Sequence, residues 1–305
     1  MIKKWTKTVA KDFKINKGIY LIALPGILFY LIFCYGPIYG IVIAFKDYSA
    51  GAGIFGSDWV GLKHFKDFFG SIYFGRVVGN TIVLNLYGII VGFPAPIILA
   101  LLLNELKGKY FKRVIQTVTY IPHFISLVVI CGIVSNFVSN RGIITYFLNA
   151  LGGNHTNLLF EPGLFKTIYI VSDIWQGIGW GSIIYLAAIS GLDMALYEAA
   201  EIDGAGKIRQ LIHITLPGIS STIVVMFILR IGSIMSLGAD KIILLYNEVV
   251  FETADIISSY VYRRGLVDGN QSFATAVGLF NSLINCVLVF GANQLSRKYS
   301  EKSLW

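Results

Sequence analysis

Apolar residues run along this chain in six long blocks, at about 18–45, 75–103, 114–138, 166–191, 217–237 and 273–295, and not in the alternation of a strand or the narrow stripe of a soluble helix. Each block reaches the roughly 20 residues that a helix rising about 1.5 Å per residue needs to cross a hydrocarbon core of about 30 Å. The pattern predicts six membrane-spanning helices. Pro25 and Pro37 interrupt the first and predict kinks there. Between the blocks, 46–69 mixes glycine, aromatics and charges, which predicts an outer loop with a short interfacial helix, Trp59 and the phenylalanines sitting at headgroup level. The segments 140–165 and 238–272 read as further outer loops.

One polar island, 196–218, stands between two very apolar blocks. Its acids Glu198, Glu201 and Asp203 accompany the small Ala199 and Ala200. Gly204 then breaks the helix before a second amphipathic run with Ile208, Leu211 and Ile212. Glycine takes backbone angles that cost other residues more, and Pro217, which has no N–H, suits the first turn of the next helix. The island reads as helix, bend, helix, with re-entry into the bilayer at Pro217.

Composition agrees with the pattern: 55% of residues are hydrophobic, only 14% are charged, and mean hydropathy is +0.70. Soluble domains carry about a quarter charged residues, so these values describe a polytopic membrane protein. The net charge of +8 does not signal nucleic acid, because the basic residues flank apolar blocks instead of forming a stripe. They decide orientation. Six lysines up to Lys17, then Lys107, Lys109, Lys112, Arg113, Lys207, Arg209, Arg297, Lys298 and Lys302, make 15 on one side. Lys46, Lys63, Lys66, Arg141, Lys241, Arg263 and Arg264 make 7 on the other. The excess places both termini and the polar island in the cytoplasm. The chain then divides into a basic N-terminus at 1–17, a six-span domain at 18–295 that holds the loop 196–218, and a tail at 296–305. Cys34, Cys131 and Cys286 all fall inside apolar blocks and read as small buried residues.

Enzymatic chemistry finds little support. No GxxxxGK[ST] phosphate loop is present, since DGAGKIR lacks both the earlier glycine and the hydroxyl residue. His64, His123, His155 and His213 are scattered without an HExxH pattern, and no metal site is predicted. Charged groups inside spans are costly and point to function. Two stand out: Asp173 in the fourth block and Arg230 in the fifth, each about eight residues from its outer end. Asp173, Gln176 and Trp180 lie near one face beside small glycines, and Arg230 and Ser233 share another. Such groups suit a sugar: carboxylate, amide and guanidinium for hydroxyls, indole for a pyranose face. The alternatives are a pair of Asp173 with Arg230 that only joins helices, or an ion site in a secondary carrier with Arg230 as counter-charge.

The island also fits the spacing EAA, three residues, G, nine residues, I, one residue, LP, met by Glu198, Ala199, Ala200, Gly204, Ile214, Leu216 and Pro217. It resembles the EAA loop of the permease subunits of bacterial ABC importers. SGLDMALYEAAEIDGA resembles their carbohydrate-uptake branch; WVGLKHF, ILALLLNELK, QTVTYIPHFIS and SFATAVGLFNS resemble its oligosaccharide permeases. The resemblance implies an all-α, six-helix type I permease in the bacterial cell membrane, half of a pore for sugar uptake. It implies partners: a second permease, two ATPase subunits that bind ATP and magnesium, and an extracytoplasmic solute-binding protein. Glu198, Ala199, Ala200, Asp203 and Gly204 would form the coupling helix and its bend. One departure is serine at 220 and 221, where many relatives have a second proline.

Overall fold

The apolar blocks fold into helices joined by one small β-ribbon. A computed structural model describes residues 15–232, 234–235 and 238–300; Ser233, the rest of the basic segment 1–17 and the end of the tail 296–305 lie outside the described residues. Helix α1 (Lys17–Phe45) contains Pro25, passes through a π turn at Tyr30–Tyr35 and tightens to 3-10 geometry from Gly36, with Pro37 in that first turn. Up to Tyr35 it buries none of its residues against the chain. The ribbon β1 (Lys46–Asp47) and β2 (Asp58–Trp59) pairs antiparallel, Lys46 opposite Trp59. The Lys46 ammonium closes the loop between them by donating to the carbonyls of Ile54 and Ser57 at 2.7 and 3.1 Å.

Helix α2 (Lys63–Phe69) is the predicted short helix. Trp59 is exposed and stacks on Phe45 at 5.8 Å, but Phe68 departs from the headgroup expectation. It is buried at the centre of an aromatic cluster with Phe74, Tyr260, Phe273 and Phe280. Its apolar area is worth more there, against rings from later in the chain, than at an interface.

Helix α3 (Phe74–Glu105) has a π turn at Gly88–Gly92. The block 114–138 is not one helix. It divides into α4 (Lys109–Phe124) and α5 (Leu127–Val138), parted at Ile125 and Ser126, where the Ser126 hydroxyl caps the new helix by accepting from the Val129 amide. Helix α6 (Ile143–Ala150) follows inside the segment expected to be loop. Then come α7 (Pro162–Ser190), α8 (Met194–Ile202) bent from it by 71°, α9 (Lys207–Gly218), and α10 (Ser220–Gly232) bent from α9 by 60°. Four stretches are long and apolar enough to cross a membrane by themselves, and up to six if each bent pair is one span. Pro217 sits within the last turn of α9, so the bend of re-entry falls just after it, at Ile219.

The segment 238–272 is not an open loop. Helix α11 (Ala239–Leu245) folds onto α5, α12 (Ile257–Tyr262) onto α3, and the short turn Phe251–Ala254 between them onto α7. Ile242, Val250, Ala254, Ile256 and Ile257 join the core. Asn80 of α3 donates to the carbonyls of Glu252 and Asp255, and the Ile257 amide donates to the Thr81 hydroxyl. Asp255, 0% exposed, lies between Arg263 at 2.7 Å and Arg76 at 3.3 Å, and accepts a hydrogen bond from Ser259. Burial works against the charge of Arg263, but its hydrogen bonds and attraction to Asp255 outweigh this and raise its pKa.

Helix α13 (Gln271–Ser300) closes the fold. Asn281 donates to the Met235 carbonyl and Asn285 accepts from the Met235 amide, clamping the chain where α10 has ended. Cys131 is buried as expected, whereas Cys34 and Cys286 are exposed on the outer faces of α1 and α13. An apolar block facing lipid or a partner has no need to hide a thiol within its own chain.

Candidate functional site

The polar island folds as predicted in outline. Asp193 caps α8 by accepting from the Ala195 amide at 2.9 Å. At the other end Gly204 takes φ +74°, the Ala205 amide donates to the Ala200 carbonyl at 2.8 Å and the Gly204 amide to the Glu201 carbonyl at 3.0 Å. This is a Schellman stop, which needs a left-handed residue at the glycine position. One bridge ties α9 to α8, Tyr197 to the Thr215 hydroxyl at 2.8 Å, and buried Gln210 closes the turn between them by donating to the Ala205 carbonyl at 3.1 Å. Glu198, Ala199 and Asp203 remain exposed and Ala200 half-buried. Glu201 reaches Lys207 at 3.7 Å, while Glu198 and Asp203 form no ion pair among the described residues. Apolar side chains are exposed beside them: Met194, Leu196, Ile208 and Ile202, the last 87% exposed. The expected amphipathic run thus does not bury Ile208 or Ile212 within the chain. A rigid, bent hairpin with free acids and bare apolar residues has the chemistry of a docking surface.

The second candidate site is a cleft of 360 Å³ between α3, α7 and α10, lined by Asp173, Gly177, Gly181 and Tyr185 on one side and by Phe93 and Arg230 on others. Asp173 and Arg230 therefore share a cavity, as their equal depth predicted. The alternative of an Asp173–Arg230 pair is not what holds Asp173. Its partner is Lys241 of α11, at 3.3 Å, with the ammonium also over the Tyr169 ring at 5.0 Å. Lys241 is buried, its side chain 6% exposed, while the side chain of Asp173 is 50% exposed. The Arg230 guanidinium lies against the bare backbone of Gly88, in the π turn of α3. π turns recur at functional sites.

Gln176 and Trp180 do not line this cleft. Trp180 turns to α4, where it stacks on His123. Ser233 lies outside the described residues. Sequence reasoning missed Lys241, because it was counted among the charges of an outer loop. The available signal was its place in an apolar helical run, KIILL, where a lone lysine asks for a partner.

Comparison with known proteins bears on both sites. Residues 92–301 match the family model described as "Binding-protein-dependent transport system inner membrane component". The chain is 43% identical to Protein LplB of Bacillus subtilis (strain 168), over 99% of this chain and 94% of that one. It is 45% identical to the polygalacturonan/rhamnogalacturonan transport system permease protein YteP of the same organism, over 95% and 91%. Among solved structures it is similar to a chain of a bacterial alginate ABC transporter in complex with an alginate pentasaccharide-bound periplasmic protein, with a TM-score of 0.88, 40% identity, and coverage of 96% and 99%. The chain belongs to the family of inner-membrane components of binding-protein-dependent transport systems, the permease subunits of ABC importers.

Proposed function

We propose that this chain forms half of the pore of a bacterial ABC importer that takes up a carboxylate-bearing oligosaccharide. The observation that carries the reading is the exposed, internally capped hairpin from Asp193 to Gly218, in a chain that has no phosphate loop of its own. A lever of this kind transmits force only if a second protein holds it. The partners in this reading are two ATPase subunits that bind ATP and magnesium, a second permease and an extracytoplasmic solute-binding protein. The periplasmic protein in the similar alginate complex supports the last of these. Six spans with cytoplasmic termini follow if each bent helix pair crosses once, with the basic segment 1–17, the domain 18–295 and the tail 296–305 arranged as the charge bias requires.

Closure of the ATPase dimer would move Glu198–Gly204 and swing α7 and α10, which the hairpin joins, turning the pore from inward- to outward-facing. Solute would meet Asp173 and Arg230 in the cleft, with Gln176 and Trp180 elsewhere along α7. The charges lining the cleft are Arg230 and Asp173, and the Asp173 carboxylate is paired with buried Lys241 outside the lining, so the cluster as a whole has two cations against one acid. That balance suits an anionic sugar, in keeping with the polygalacturonan and alginate named for two relatives. Purification through a tag on this chain in mild detergent should bring down an ATPase, and oligogalacturonate with the binding protein should stimulate its turnover. Arg230→Ala should raise the KM for that stimulation about tenfold, the effect of losing one charged contact. Absence of any ATPase, or equal stimulation of the wild type by charged and uncharged sugars, would defeat the respective parts of the reading.

A further inference from the structure

At the end of the fold away from the hairpin, three arginines gather around one cleft. Gly92 of α3 faces Ile174 of α7 and Gly181 of α7 faces Pro96 of α3, so the two helices run in the same direction. The start of α3 therefore lies opposite the end of α7 that leads into the hairpin. There Arg76, in the first turn of α3, meets Arg263 and Arg264, which belong to a π turn at Arg263–Val267 continuing α12. The cleft they line has a volume of 310 Å³; Tyr73, Phe251 and Tyr260 supply rings to it and Asp268 an acid.

The arginines are held in place. Arg76 lies over the Tyr73 ring at 4.9 Å, Arg263 over Phe251 at 5.0 Å and Arg264 over Phe273 at 5.6 Å. The Asp268 and Asn270 amides donate to the carbonyls of Arg263 and Arg264, each at 2.9 Å, and a Cβ on Gly265 would collide with Ala274, so the turn is set hard against α13.

Charge here is out of balance. Arg76 and Arg263 share one carboxylate, that of buried Asp255, and Arg264 pairs with Asp268 at 2.8 Å, which leaves three cations against two acids. The Nε atoms of Arg76 and Arg264 are buried without an acceptor among the described residues, so a ligand entering the cleft meets the terminal nitrogens of both. A second cleft of 460 Å³ adjoins the first, sharing Tyr73, Tyr260 and Arg264 with it and adding the exposed Asp67.

Position says what kind of anion belongs there. Helices α3 and α13 are both long and apolar enough to cross a membrane, and the cluster sits where both begin, with Arg76 the third residue of α3. That is the depth of phospholipid headgroups and of interfacial tyrosines. The residues beside the arginines are bare and apolar: Ile72 is 87% exposed, Leu266 73% and Val267 67%. The boundary between headgroups and acyl chains receives such side chains, and water does not. A soluble protein docking from above would meet loops beyond the rim before it met the first turn of a span.

We propose that Arg76, Arg263 and Arg264 hold the phosphodiester of one anionic phospholipid, phosphatidylglycerol, at the membrane rim opposite the hairpin. Their terminal nitrogens donate to the phosphate oxygens, as guanidinium forks do. The hydroxyls of the glycerol headgroup donate to Asp67 in the second cleft, and Leu266 and Val267 lie against the acyl chains. The site is separate from the charged cleft and from the hairpin, and it owes nothing to the identity of the solute.

The test uses the complex purified through this chain in mild detergent, stripped of lipid and titrated with phosphatidylglycerol or phosphatidylcholine, with bound lipid counted by native mass spectrometry. Phosphatidylglycerol should bind about tenfold more tightly than phosphatidylcholine, and Arg264→Gln should remove that advantage while leaving phosphatidylcholine unchanged. Asp268→Asn frees Arg264 from its ion pair and should tighten phosphatidylglycerol about threefold, a gain that a merely structural pair would not give. Both side chains are partly exposed, which favours folding of the variants. If Arg264→Gln does not assemble, Asp268→Asn and Arg264→Lys decide, the second keeping the charge without the fork and losing less than the glutamine variant. Equal affinity for the two lipids, or phosphatidylglycerol binding unmoved by these variants, overturns the proposal. Inorganic phosphate that displaces the lipid at equal concentration also overturns it, making the cleft a free-anion site. A variant that holds phosphatidylglycerol normally but releases the solute-binding protein overturns it in favour of a protein dock.

Discussion

Two polar stretches of this permease look alike in composition and are treated in opposite ways by the fold. The hairpin Asp193–Gly218 keeps its acids in solvent: Glu198 and Asp203 form no ion pair among the described residues, and its structure rests on caps, a Schellman stop and two side-chain bridges. The segment 238–272 consumes its charges internally. Asp255 is fully buried between Arg76 and Arg263, Lys241 is buried against Asp173, and the chain around them is tied to α3 by Asn80 and Thr81. In the proposed reading, a region that grips another protein leaves its acids in solvent, whereas one that holds helices together pairs its charges.

The largest expected effect is at Asp255. Removing one partner from a buried ion group leaves the others desolvated and uncompensated, at a cost of about 3–5 kcal/mol. Asp255→Ala should lower the unfolding temperature of the detergent-solubilised protein by several degrees and reduce the yield of intact complex. An unchanged unfolding curve would remove the 238–272 half of the comparison.

Smaller is Gly204→Ala. No atom lies within 4 Å of the added Cβ, so the cost is backbone strain alone, about 1–2 kcal/mol at φ +74°. Faster hydrogen exchange should appear at the Gly204 and Ala205 amides, without a matching change in α3 or α12, and ATP-dependent uptake should fall as the bend shifts. Exchange that rises throughout the chain would show the hairpin to be part of the core.

Smallest in stability is Glu198→Gln, within about 0.5 kcal/mol of wild type, as for exposed residues generally. Its effect belongs elsewhere: the complex should assemble less well with its ATPase or lose solute-stimulated turnover. A melting shift as large as that of Asp255→Ala would erase the distinction between the two regions.

Some features were legible along the chain because they depend on near neighbours. Gly204 with Ala205 determines a helix stop, and the second and fourth apolar blocks predict α3 and α7 to within a few residues, because bilayer thickness and helical rise set their length. The break at Ile125 was not predicted, although Pro122 and Ser126 carry its signal, because apolar composition continues across it. The asparagines at 80 and 85 and the threonine at 81 likewise sat inside an apolar block without showing what they would bind.

The sequence alone therefore determined the class of this protein, most of its apolar helices, its charge bias, the bend of the polar hairpin and its family, all properties of residues near one another or of overall composition. Tertiary structure alone decided that Asp173 pairs with Lys241 and not with Arg230, that Trp180 leaves the charged cleft to stack on His123, and that an apparent loop is core. These pairs are brought together by helix crossings between residues 57 to 68 positions apart. A buried charge or ring takes whichever partner the packing puts within reach, and no local pattern records which that will be.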